Sequence, residues 1–128
     1  MMNEVNEVSI TIHTKQVDEH CAAITLAGRL DASNAQTVKE SLEQLIDGGI
    51  IYLVVDLEQV PFIDSAGLAA LVSALKATHR VEGNVLLSGV QPQARTVFSL
   101  TMLDQVFAIH PDVEAALDSL GAKSTPSE

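Results

Sequence analysis

Residues 50–68 read IIYLVVDLEQVPFIDSAGL. The first eight, Ile50 to Leu57, are apolar at nearly every position and rich in β-branched side chains. A strand with one wet face alternates apolar and polar residues. This run does not, so it predicts a central strand covered on both sides, or a parallel one. Glu58 to Asp64 reads as a loop, and Pro61, which has no N–H to donate, marks the end or a bend of the strand. From Ser65 to Arg80 the spacing becomes helical. Leu68, Leu71, Val72 and Leu75 form one stripe, and Ala66, Ala69, Ala70, Ala74 and Ala77 favour helix and close packing.

The pattern extends in both directions from this unit. Upstream, Val8 to Lys15 alternates, with Val8, Ile10 and Ile12 on one face and Ser9, Thr11 and His13 on the other. Gln16 to His20 is a polar turn, and Cys21 to Gly28 is a second strand able to pair with the first as a hairpin. Asp31 or Ser33 is placed to cap a helix carrying Val38, Leu42, Leu45 and Ile46, and Gly48-Gly49 ends it. Downstream, Glu82-Gly83-Asn84 is a turn and Val85 to Ser88 a short buried strand. Pro92 opens another helix through Leu100. Val106 to Ile109 reads as an edge strand, and Pro111 to Leu120 as a last helix stopped by Gly121. The order ββαβαβαβα predicts a single α/β domain: a mixed sheet of about five strands with about four helices, mainly on one face.

Composition fits one domain. The chain has 128 residues, 47% of them hydrophobic, which places the folded core at about residues 8–120 and leaves 122–128 as an expected flexible tail. Its 17 acidic and 7 basic residues give a net charge of −10. That balance argues against nucleic-acid binding and against docking on an anionic membrane. No apolar run is long enough to cross a membrane, and the N-terminus lacks the pattern of a secretory signal. Cys21 is the only cysteine, so an internal disulfide and a Cys-rich zinc site are both excluded. A reducing, cytoplasmic setting is expected.

Two stretches carry possible chemistry. In the first, Asp64-Ser65-Ala66-Gly67-Leu68, a loop becomes a helix. Ser65 is a candidate N-cap, which would make its role purely structural. It is also a candidate phosphorylation site, because a phosphate there would meet the positive end of a helix. It is a poor catalytic nucleophile, since Ile63 stands where a nucleophile elbow needs glycine. The second stretch is Gly28-Arg29-Leu30-Asp31, another strand-to-helix junction. The histidines, His13, His20, His79 and His110, are scattered and match no triad or metal-ligand spacing. No cofactor or metal site is expected.

Gly28-Arg29-Leu30-Asp31, Val54-Val55-Asp56-Leu57 and Phe62-Ile63-Asp64-Ser65-Ala66-Gly67-Leu68 together resemble the STAS domain family, in particular the bacterial anti-sigma factor antagonists. The likeness runs from about Val8 to Leu120 and includes the order of elements. It implies a switch and not an enzyme. Such proteins bind an anti-sigma factor that is also a GHKL-type serine kinase, and binding frees a sigma factor. The kinase phosphorylates the serine after the motif aspartate, here Ser65, and a PP2C-type phosphatase reverses the step. By the same resemblance the partner-binding positions are Asp31, Asp64, Ser65, Ala66, Gly67 and Leu68. The protein is expected to be a monomer or weak homodimer. Many relatives carry a second hydroxyl where this chain has Ala66, which leaves Ser65 as the one acceptor in the motif. The family also contains unphosphorylated scaffolds, such as stressosome-like subunits and partners of lipid-transport ATPases. That is the alternative role for this chain.

Overall fold

The computed structural model describes residues 10–121. It contains strand β1 (Thr11–Gln16), β2 (Cys21–Ala27), helix α1 (Ala35–Asp47), β3 (Tyr52–Gln59), α2 (Ser65–Arg80), β4 (Asn84–Ser88), α3 (Pro92–Leu100), β5 (Ala108–His110) and α4 (Val113–Ser119). A short 3₁₀ turn, Leu103–Gln105, precedes β5. The five strands form one sheet in the order β1-β2-β3-β4-β5. β1 pairs antiparallel with β2 as a hairpin, and every other pairing is parallel. This is the expected mixed α/β sheet.

β3 is central, as its sequence requires. Leu53, Val54, Val55 and Leu57 are all fully buried, so both of its faces are covered. Leu53, Val55 and Leu57 join Ala22, Ile24 and Leu26 of β2 in the main core. Val38 and Leu42 of α1, Leu71 and Leu75 of α2 and Phe98 of α3 close that core from one side. Each fully buried leucine contributes about 1.5–3 kcal/mol of transfer free energy. Val54 points the other way and packs with Leu86 and Ala116 in a second, smaller core under α4. Three helices therefore lie on one face and one on the other.

Several boundaries differ from the sequence reading. The last strand begins at Ala108 and not at Val106, because the 3₁₀ turn leaves Val106 54% exposed while Phe107 turns inward. There Phe107 meets Phe98 edge-on, with centroids 5.8 Å apart. The last helix starts at Val113, not Pro111, since Asp112 is its cap and accepts from the Ala115 N–H at 2.8 Å. Cys21 is free and buried. Burial, helped by the charge of Asp18, pushes its thiol up to about 11. Val8 and Ser9 of the expected first strand, and the expected tail 122–128, lie outside the described residues.

Candidate functional site

The two stretches singled out in the sequence come together at the carboxyl ends of β2 and β3. After the strands end, the chains continue side by side. The Gly28 N–H donates to the Gln59 carbonyl (2.9 Å), Leu30 N–H to the Phe62 carbonyl (2.9 Å) and Asp64 N–H to the Leu30 carbonyl (3.2 Å). Leu30 and Ile63 form an isolated parallel bridge. Both side chains are fully buried and plug this end of the core. Gly28 sits at φ 121°, a conformation open to glycine and strained for other residues.

Asp64 binds the two stretches together. One carboxylate oxygen, Oδ1, accepts from the Gly67 N–H at 2.9 Å. The other, Oδ2, accepts from the Ala32 N–H at 3.2 Å. Asp64 is therefore the N-cap of α2. This corrects the expectation that Ser65 holds that place. Ser65 is the first helical residue, exposed, and its hydroxyl takes no hydrogen bond among the described residues. The amides of Ser65 and Ala66 are likewise free of partners there, as expected in a first helical turn.

Asp31 does not cap α1, and neither does Ser33. The cap position falls to Asn34, whose side chain makes no capping bond. Asp31 and Asn34 instead build a closed turn. Asp31 Oδ1 accepts from the Ser33 hydroxyl (2.6 Å) and the Ser33 N–H (3.0 Å). Asn34 Oδ1 accepts from the Asp31 N–H (3.1 Å), and Asn34 Nδ2 donates to the Arg29 carbonyl (2.8 Å). The Ser33 hydroxyl and amide, with the charge of Arg29, hold the Asp31 carboxyl below its ordinary value. Arg29 lies with Nε 3.6 Å from Asp31 Oδ2 and its guanidinium 4.0 Å over the centre of the Phe62 ring.

Of the expected contact residues, Asp31, Asp64, Ser65 and Ala66 reach the surface. Gly67 and Leu68 do not. Both are buried, Leu68 at 6% exposure within the main core. Their burial gives both a supporting role at the start of α2. A Cβ on Gly67 would lie 2.6 Å from the Leu30 carbonyl oxygen, so the glycine lets α2 start directly against the neighbouring loop. Ala66 lines a groove of about 320 Å³ with Ala32, Ala35, Gln36, Lys39, Ala69 and Ala70, running between α1 and α2 from beside Ser65.

The sequence reading missed two residues of this region. Gln93, in the first turn of α3, binds Ile63 twice: its Oε1 accepts from the Ile63 N–H (3.0 Å) and its Nε2 donates to the Ile63 carbonyl (3.2 Å). Gln91 Nε2 donates to the Glu58 carbonyl at 2.6 Å. The only local signal is Pro92 between them, which announces a helix and not a long-range contact. Among the described residues no group of His, Cys, Asp and Glu is arranged to hold a metal, and no helix is long and apolar enough to cross a membrane.

Residues 12–116 match the model of the STAS domain family. An anti-sigma-B factor antagonist from Listeria monocytogenes is 34% identical over 104 residues, covering 80% of this chain and 90% of that protein. The crystal structure of an anti-sigma factor antagonist from Mycobacterium paratuberculosis superimposes with a TM-score of 0.76 at 25% identity, over 89% of this chain and 96% of that one. The Bacillus cell fate determinant SpoIIAA in its phosphorylated form has a TM-score of 0.70 at 21% identity, over 86% of this chain and 99% of that one.

Proposed function

This chain belongs to the STAS domain family, and from that premise we propose that it is an anti-sigma factor antagonist switched by phosphorylation of Ser65. Unmodified, the surface around Ser65 docks on an anti-sigma factor in the cytoplasm and a sigma factor is released. The anti-sigma factor carries GHKL-type serine kinase activity. It transfers the γ-phosphoryl group of ATP to Ser65 Oγ, with loss of the hydroxyl proton, and leaves ADP. A PP2C-type phosphatase hydrolyses the phosphate and restores binding. The chain itself works by binding, as a monomer or weak homodimer, and not by catalysis.

The observation that carries this reading is a Ser65 hydroxyl that takes no hydrogen bond among the described residues. Asp64 does the capping, so Ser65 has no structural task at the helix start and remains exposed. Its neighbours suit a phosphate that leaves the fold intact: amides without partners among the described residues, at the positive end of a sixteen-residue helix. A chain of the same fold solved in a phosphorylated form supports that point. Relatives named as anti-sigma factor antagonists support the role.

The phosphate acts on the partner through charge. It adds about −1.5 to −2 at neutral pH to a surface that already holds Asp31 and Asp64. Charges about 5 Å apart near a surface interact by roughly 1–3 kcal/mol per unit pair. Against a partner face with apolar or acidic atoms there, repulsion and desolvation of that charge oppose docking by several kcal/mol, and each 1.4 kcal/mol is about tenfold in affinity.

The test starts from the wild-type chain as bait in its source cells, with phosphosite mapping on the recovered protein. A serine-kinase ATPase should co-purify, and phosphate should be found at Ser65. In calorimetric titrations Ser65→Ala should bind that partner as wild type does. Ser65→Asp should bind more weakly by about a hundredfold or more. Equal affinities for the two variants would sink the proposal.

A further inference from the structure

We propose that Gln93 is a positioning residue for the Ser65 hydroxyl: its side-chain amide serves as a substitute strand that fixes Ile63, and through Ile63 aims Asp64 and the start of α2. The inference deepens the reading above and rests on it for its function, though not for its geometry.

The geometry follows from the sheet. In a parallel ladder a residue's own N–H and C=O face one neighbour, while those of the residues before and after face the other. Beyond the end of β3, the Phe62 carbonyl and the Asp64 N–H face the Leu30 loop and are bonded to it. The Ile63 N–H and carbonyl must then face the β4 side. There β4 has already ended at Ser88. Ile63 is fully buried, so water does not readily take the place of a partner. Gln93 fills the gap. A primary amide offers one acceptor and a donor at nearly the spacing of a peptide group. Its two bonds to Ile63, 3.0 and 3.2 Å, complete the ladder from a residue thirty positions away.

Ile63 is joined directly to Asp64, whose carboxylate must meet both the Ala32 and the Gly67 N–H. Those two bonds set the first turn of α2 and hence where Ser65 Oγ points. Gln91, bonded to the Glu58 carbonyl, pins the end of β3 from which that loop departs. The start of α3 is thus a third wall of the site, beside the Leu30 loop and α2. In phosphoryl transfer, misplacing the acceptor oxygen by about 1 Å costs up to a hundredfold in rate. A kinase therefore reads the brace even though Gln93 itself touches no reacting atom.

Two variants test this. Gln93→Met keeps the length of the side chain and loses both hydrogen bonds. Gln93→Glu keeps the donor–acceptor pattern only while its carboxyl is protonated. When ionised it sets an oxygen against the Ile63 carbonyl. Amide exchange by NMR is the first readout, on the free protein. In Gln93→Met the Ile63 amide should lose protection about tenfold or more. Ala32 and Gly67, the donors to Asp64, should lose it several-fold, and Ala115 at the cap of α4 should keep it. Gln93→Glu should match wild type well below the ordinary glutamate pKa of about 4.3 and match Gln93→Met at neutral pH. Loss at Ile63 alone would reduce Gln93 to a local brace and overturn the inference. Equal loss at Ala115 would also overturn it, as a global effect.

The second readout uses the kinase recovered with the wild-type bait. Docking spans a wide surface and positioning affects only the chemical step. Gln93→Met should therefore lower kcat for Ser65 phosphorylation about tenfold, with KM within about twofold. An unchanged kcat refutes the positioning role. Absence of phosphorylation on wild type refutes the switch reading itself, while the protection factors still decide whether Gln93 aims Asp64.

Discussion

The starts of α1 and α2, at the carboxyl ends of β2 and β3, are built in opposite ways. The junction into α1 is closed mainly on itself, with the Ala32 N–H its one side-chain tie to the Asp64 loop. Asp31, Ser33 and Asn34 bond one another and the Arg29 carbonyl, all within a few residues of chain. The junction into α2 is held from outside. Asp64 reaches Ala32, Gly67 stands against Leu30, and Ile63 is gripped by Gln93. A self-closed turn tolerates changes elsewhere. An externally held turn takes its geometry from two other segments, the Leu30–Ala32 loop and the start of α3, which suits a position that must present one hydroxyl in a fixed place.

The sharpest way to break this comparison is Gly67→Ala. The new Cβ would lie 2.6 Å from the Leu30 carbonyl oxygen and 2.8 Å from Leu30 Cγ. Neither can retreat easily, because the Leu30 side chain is fully buried and its carbonyl accepts from Asp64. Alanine is the better helix former in isolation by up to about 1 kcal/mol, but overpacking against backbone outweighs that. A net loss of about 3 kcal/mol is expected, or roughly 10 °C in Tm. Thermal unfolding followed by circular dichroism measures it. A Tm within a degree or two of wild type would mean that α2 is free to move away from Leu30 and that the junction is not held from outside.

A matched pair of cap deletions sharpens the contrast. Asp64→Ala removes a charged acceptor from two amides and should cost about 2–3 kcal/mol. Asn34→Ala removes two neutral hydrogen bonds at a residue only 1% exposed and should cost about 2 kcal/mol. The stabilities are close, so the discriminating measurement is spatial. Amide chemical shifts in Asp64→Ala should move in both loops, around Ala32 and from Ser65 to Leu68. In Asn34→Ala they should stay within Arg29 to Val38. If Asn34→Ala disturbs Ser65 as strongly as Asp64→Ala does, the two junctions are one unit.

The same contrast explains what could be read in the sequence. Periodicity is a local signal, and it located, to within a few residues, every strand and α-helix of the described residues, the β1–β2 hairpin and the burial of both faces of β3. Adjacent Asp64 and Ser65 are about equally good caps, so local preference could not rank them. The tie to Ala32, thirty-two residues away, decides for Asp64. Gln93 was invisible for the same reason: its pairing with Ile63 depends on β4 ending early, a fact of topology. Leu68 was placed in the docking motif by resemblance, while its place in the helical stripe had already marked it as core. The stripe was the better guide to its burial.

The smallest effect expected belongs to the self-closed junction, and it is a pH effect. The Asp31 carboxyl is held below its ordinary value of 3.8, chiefly by the Ser33 hydroxyl and amide and then by Arg29. A lowered folded-state pKa means that the ionised form is favoured by folding. Its contribution is therefore present above 3.8 and disappears as pH falls through the lower folded value. Asp31→Asn lacks that contribution at every pH. Wild type should thus unfold at a slightly higher temperature than Asp31→Asn at neutral pH, and the gap should close as the pH falls through the lowered folded value. The carboxylate is surface-exposed, so the gap is small, and added salt should shrink the Arg29 share but not the Ser33 share. A gap that widens on acidification would reverse the sign and show that the turn prefers a protonated Asp31. The junction would then be held by something other than the Ser33 bonds, and its independence from the Ser65 side would lose its physical basis.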